Sequence, residues 1–201
     1  MGEELDLLTL VTKRFQQSMD VPEAFFAAEE KRIAEACWAM ARRFQQGGRL
    51  LAFGNGAQAT DAQHVSVEFV HPVIVGKRAL PAIALTNDSA TLSSLMAEGS
   101  AQTRTSFAHQ LRTLARPHDI ALGFSLFGEC MNVVAALSEA QRMGLLTLGL
   151  SGGDGGLLAQ TDLAFCFVVR TYDSLVIQET HETLYHILWE LVHVFCQSPT
   201  P

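Results

Sequence analysis

Residues 50–69 read LLAFGNGAQATDAQHVSVEF, and this stretch sets the architecture. Leu50–Phe53 form a short apolar run of strand length, bounded by Gly54, Asn55 and Gly56, which mark a turn. Residues 59 to 70 then follow with helical character. A strand, a glycine turn and a helix in succession form the repeating unit of a parallel sheet. The rhythm recurs downstream, with apolar runs at Ala82–Leu85, Ile120–Phe124, Leu145–Leu150 and Leu163–Val168. Each is followed by Gly, Ser, Asn or Asp and then a helix-like segment. Near-continuous apolar strands imply a sheet covered on both faces. The expectation is a three-layer α/β fold around a five-stranded, doubly wound parallel sheet.

Outward from this core, residues 22–46 place Phe25, Phe26, Ile33, Ala36, Cys37, Met40 and Phe44 at helical spacing. Pro22 suits a first helical turn, and Gly47-Gly48 supply the stop. A shorter helix is expected before it, through Leu5, Leu8, Val11 and Phe15. The segment from about Ser174 to Cys196 reads as one long amphipathic helix ending before Pro199. No low-complexity linker divides the 201 residues, so one domain is expected over 1–201. Within it, 1–47 would hold the N-terminal helices, 48–172 the α/β core and 173–197 the C-terminal helix.

The net charge of −7 opposes binding to a nucleic-acid backbone through the general field. No apolar run reaches membrane-spanning length. The acidic start, MGEELDLLTL, lacks the pattern of a secretion signal, so a cytoplasmic protein is expected. Cys37, Cys130, Cys166 and Cys196 are widely spaced in apolar surroundings and read as reduced, packed thiols.

In doubly wound sheets ligands bind where strands end and helices begin. The decisive loops are Gly54-Asn55-Gly56-Ala57-Gln58 and Ser125-Leu126-Phe127-Gly128-Glu129-Cys130. His64 and Glu68, spaced i, i+4, share one helix face beside the first loop. Such a pair can ligate a metal, act as an acid/base pair, or merely make a surface hydrogen bond. Read from the residues alone, His181, His193 and Glu190 suit packing or surface positions. Glu182 stands i, i+4 from His186, close enough to orient it. The first loop is no dinucleotide fingerprint, because Gln58 and Ala59 replace the second half of GxGxxG.

The segment FGNGAQATDAQHVSVEF (53–69) resembles the signature of the phosphoheptose isomerases, GNGGSxxDAQHxxxE, within the sugar isomerase (SIS) domain family. LPAIALTND (80–88), SGGDGG (151–156) and IQETHETLYH (177–186) are similar to further family segments in the same order. The resemblance runs from about residue 30 to 195. It implies a flavodoxin-like SIS fold and a homotetramer that interconverts the ketose and aldose forms of a sedoheptulose 7-phosphate-type sugar. It further implies a zinc ion held by His64, Glu68, Gln178 and His186, with Glu68 as catalytic base and His186 as catalytic acid. Asn55, Gly56, Ala57, Asn87, Asp88, Ser125, Gly128 and Gln178 are then the expected substrate contacts. Gln178 and His186 are about 12 Å apart along a straight helix. To share one ion, Gln178 must lie off the helix start, or neighbouring subunits must contribute separately.

The phosphate loops depart from the family pattern. Gln58 replaces the serine of GNGGS, and of the second loop, close to STSGNS in the family, only Ser125 and Gly128 are kept. Leu126 and Phe127 remove hydroxyl donors. Glu129 adds a charge that, within about 5 Å of a phosphate, opposes binding by about 3 kcal/mol at an effective dielectric near 20. Weaker phosphate affinity is expected, with Phe127 presenting an apolar face and Glu129 turned outward. The competing expectation is a non-catalytic SIS module that binds a carbohydrate derivative or a protein partner. Glu68 and His186 are present, and that favours chemistry.

Overall fold

Five short runs form a parallel sheet: β1 (Leu50–Gly54), β2 (Ala82–Ala84), β3 (Ile120–Phe124), β4 (Leu146–Gly152) and β5 (Phe165–Val169). The computed structural model describes residues 7–197, and orders the strands β2-β1-β3-β4-β5. Leu50 stands opposite Ala82 on one side and Ile120 on the other, so β1 is central and β2 is an edge. The helices are α1 (Leu7–Gln45), α2 (Ala57–Val70), α3 (Ser89–Ala97), α4 (Ser100–Thr103), α5 (Ser106–Leu114), α6 (Met131–Arg142), α7 (Gly156–Ala159) and α8 (Ser174–Gln197).

Strand side chains alternate between faces, and the core divides accordingly. Leu50 and Ala52 of β1, with Ile120, Leu122 and Phe124 of β3, pack beneath α1, α2 and α8. Leu51, Phe53 and Ala121 point the other way, under α5, α6 and α7. Both layers are dry, which is why the strand sequences are apolar without alternation. This is the expected three-layer α/β fold.

The N-terminal region differs from the expectation of two helices. α1 runs unbroken from Leu7 to Gln45 with Pro22 inside it. Proline removes one backbone donor from a helix, yet α1 continues through it. Arg14 reaches Asp173 (2.9 Å) and Glu179 (2.8 Å) at the start of α8, holding the first half of α1 in line with the second. Leu5 and Pro199 lie outside the described residues.

At the other end of the sheet, Asp119 ties β1 to β3. Its carboxylate accepts from the Arg49 backbone amide (2.8 Å), the Arg49 guanidinium (2.7 Å) and the Arg116 amide (2.9 Å). The four cysteines are free. Burial pushes the Cys37 thiol up to about 12 and the Cys166 thiol up to about 11, as packed, unreactive thiols require.

Candidate active site

β1 leads back to β2 on one side while β3 leads on to β4 on the other. The loops after β1 and β3 therefore part and leave a crevice at the carboxyl end of the sheet. In the first loop Gly56, at φ 59°, opens α2. The Asn55 and Asn132 side-chain amides exchange two hydrogen bonds of 2.9 Å and clamp this loop to α6.

The second loop is largely satisfied from within. Ser125 Oγ accepts from the Cys130 amide at 3.1 Å and closes the start of α6. Gly128 has φ 76°, and a Cβ there would lie 1.8 Å from the Gly155 carbonyl oxygen, so only glycine fits. Leu126 and Phe127 turn toward the core, and Phe127 packs on Tyr172 with ring centroids 5.9 Å apart. Glu129 is exposed, with its carboxylate against Gly156 at the start of α7. Asp88 caps α3 by accepting from the Thr91 amide (3.0 Å) and hydroxyl (2.6 Å). With Asn87, Gln63 and Ser66 it lines a cleft of about 390 Å³ beside β2, whose lining includes neither His64 nor Glu68.

The convergent chemistry lies between α2 and α8. Glu68 Oε1 is 3.4 Å from His64 Nε2 and 3.1 Å from His186 Nε2. The Trp189 indole donates to the Glu68 carbonyl at 2.9 Å, which docks the two helices in this register. Glu68 is mostly buried, and its Oε2 has no hydrogen-bond partner among the described residues. A buried carboxylate oxygen without a donor is costly unless a cation or substrate proton meets it. One donor atom each from His64, Glu182 and His186 also lies within 4.8 Å of the others. Imidazoles and carboxylates at such spacing fit a divalent ion.

Gln178 sits inside α8, not off its start, and its amide nitrogen donates to Asp61 Oδ1 at 3.0 Å. Asp61 is itself buried; desolvation raises its pKa, and the Gln178 bond partly opposes that rise. Of the expected ligand set the structure brings His64, Glu68 and His186 together directly. Three further residues join them: Asp61, Glu182 and Tyr185, whose hydroxyl lies 2.8 Å from His64 Nδ1. The sequence signal for them was helical spacing. Asp61, His64 and Glu68 are three and four apart, as are Gln178, Glu182, Tyr185 and His186 in part, so each set shares a face.

A family model described as SIS domain matches residues 15–152. The chain belongs to the SIS domain family. Among its SIS relatives, the phosphoheptose isomerase of Aquifex aeolicus (strain VF5) is 37% identical over 186 residues, covering 92% of this chain and 96% of that protein. A solved phosphoheptose isomerase from Francisella tularensis superposes with a TM-score of 0.86 at 28% identity, over 93% of this chain and 98% of that one. The phosphoheptose isomerase from Neisseria gonorrhoeae gives 0.82 at 28% identity, over 92% and 98%. This SIS chain thus shares both fold and near full-length sequence with phosphoheptose isomerases.

Proposed function

We propose that the protein is an aldose–ketose isomerase of the phosphoheptose isomerase type, acting on a seven-carbon sugar phosphate related to sedoheptulose 7-phosphate. The observation that carries this reading is the Glu68–His186 contact of 3.1 Å between α2 and α8. Glu68 takes the proton from the carbon beside the carbonyl. His186 gives a proton to the carbonyl oxygen, and an enediol results. Return of a proton from Glu68 to the neighbouring carbon, with loss of one from the adjacent hydroxyl to His186, yields the isomer.

His64, Glu68 and His186 would hold zinc, with Gln178 or Glu182 within reach of the same space. When bound, the ion supplies Lewis-acid polarisation of the sugar's oxygens. The sugar phosphate would lie across the loops at Asn55–Ala57 and Ser125–Gly128. With Leu126 and Phe127 packed inward, its phosphate would rely on backbone amides and Ser125 in place of a hydroxyl cluster. Among the described residues no helix is long and apolar enough to cross a membrane. The acidic composition supports a cytoplasmic enzyme with no nucleic-acid partner, and the proposed assembly is a homotetramer of single SIS domains.

The packed Phe127 favours one rival, a SIS module that binds a sugar derivative without converting it. A coupled assay of sedoheptulose 7-phosphate isomerisation separates the two. Turnover is expected in the native protein, with Glu68→Gln and His186→Ala each lowering kcat by about 10²- to 10⁴-fold. Ligand binding with no turnover in the native protein would establish the rival.

A further inference from the structure

A second hollow lies at the amino ends of the strands, at the opposite end of the sheet from the crevice. It sits beside Leu146, the first residue of β4, and His118, two residues before β3. The last two turns of α1 bring Trp38, Arg42, Arg43 and Gln46 against them. Its volume is about 450 Å³, in the range of small-molecule sites, about 300 to 1,000 Å³.

The charges around this hollow run against those of the chain. With 21 acidic residues against 14 basic ones, a surface arginine usually meets a carboxylate, as Arg14, Arg32, Arg112 and Arg142 do. No Asp or Glu lines the hollow. Among the described residues neither Arg42 nor Arg43 forms an ion pair. The Arg42 guanidinium instead lies 4.7 Å from the centroid of the Trp38 ring, a contact that holds the group without using its N–H donors. Arg43 gives one N–H to the Gly144 carbonyl at 3.3 Å. Asp119, next to His118 in the chain, is almost wholly buried and turned to Arg49.

His118 has φ 76° and is the one non-glycine residue in the left-handed region among the described residues. A Cβ on Gly48 would lie 2.0 Å from its carbonyl oxygen, so this turn presses on the end of α1. Arginines in a last helical turn offset the negative end of the helix dipole, and that alone would explain Arg42 and Arg43. It does not explain the hollow, the ring that holds Arg42 in place, or the rare backbone of His118.

We propose that this hollow binds a small phosphate-bearing ligand through Arg42 and Arg43, with His118 as its third polar wall. Planar guanidinium groups match phosphate oxygens two at a time, and two full positive charges outweigh the half charge at the end of α1. The length of the sheet separates this site from the crevice, so both can be filled at once.

The chain has two tryptophans, Trp38 and Trp189. In full-length Trp189→Phe protein the remaining tryptophan stands in the hollow, and its fluorescence reports occupancy. Inorganic phosphate and glucose 6-phosphate are titrated in turn at constant ionic strength. A saturable change is expected, with a Kd of about 1 mM or below. Tighter glucose 6-phosphate marks a phosphate ester as the ligand, and equal affinities mark free phosphate. Arg43→Gln, which leaves the stack of Arg42 on Trp38 as reporter, should weaken binding by about tenfold or more, with circular dichroism unchanged. Arg104→Gln, which removes the same charge from another part of the surface, should bind as the parent does. No response, or one that sodium chloride reproduces, overturns the proposal. So does unchanged affinity in Arg43→Gln. An equal loss in Arg104→Gln overturns it too, because the general field would then be the cause.

Discussion

His181 sits behind the end of β4, where its Nε2 donates to the Ser151 carbonyl at 3.1 Å. Burial drives its pKa down from 6.5 to about 4, and the Ser151 bond only partly resists. The ring is therefore neutral in the folded chain at pH 7, with Nδ1 left as a buried acceptor without a partner. The unfolded chain takes up this proton near pH 6.5, the folded chain only near 4. Between those values the unfolded state binds more protons, so stability is complete above about pH 6.5 and falls as pH drops, by up to about 3 kcal/mol. Urea unfolding of the native protein and of His181→Leu at pH 7.5 and pH 4.5 checks this. The native protein should lose stability relative to the variant by about 2 to 3 kcal/mol on acidification. A difference that stays constant across the range would show that His181 is not the group responsible.

Among the elements, β1 and β3 set the crevice, and their pairing is fixed at the far end by Asp119. That carboxylate is almost wholly buried and accepts three short bonds from Arg49 and Arg116. Removing one partner of a buried pair leaves the other uncompensated, so Asp119→Ala should lose about 3 to 5 kcal/mol in chemical denaturation. A loss below about 1 kcal/mol would place the Arg49 charge in water and refute the clamp. Legibility in sequence followed the same division between local and long-range causes. The strands, α2 and α8 were readable because their burial is written in local periodicity and in the glycines that end each run. The continuity of α1 through Pro22 was not, because an interior proline reads locally as a helix start, while the contacts of the first half, such as Arg14 with Asp173 and Glu179, come from about 160 residues away along the chain. The His64–Glu68 pair was visible as one helical turn. Glu182 was visible as one turn from His186, but the approach of Tyr185 and Glu182 to His64 was not, because it depends on how α8 is rotated against α2, which the Trp189 bond to Glu68 helps to settle.

For the whole molecule, the apolar side chains of α8, among them Ile177, Leu184, Ile187, Leu188, Trp189, Leu191, Val194 and Phe195, wrap wider than one stripe and need cover on more than one side. Ile177, Leu184, Leu188 and Trp189 find cover within the chain, among α1, α2 and the sheet, whereas Ile187, Leu191 and Phe195 are only partly buried and Val194 is exposed. Further uncovered apolar surface lies on α1. Leu7, Val11, Phe15 and Met19 stand exposed along the first half of α1, with Phe15 at 64% and Val11 at 68%. This half is held to α8 by half-exposed ion pairs, which contribute at most about 1 kcal/mol each. A row of large apolar side chains on so thinly anchored a helix marks an interface surface. Its natural occupant is a second copy of this chain, since closed homo-oligomers are the common solution for soluble proteins. Light scattering of the native protein at micromolar concentration should report an oligomer, expected to be a tetramer. Val11→Asp combined with Phe15→Asp should lower the mass while far-ultraviolet circular dichroism stays native-like. A native protein with the mass of one chain would sink the assembly altogether. An undiminished oligomer in the double variant would move the interface off α1 and toward another exposed apolar group, such as Val67, Val70 and Ile83 beside the edge strand β2.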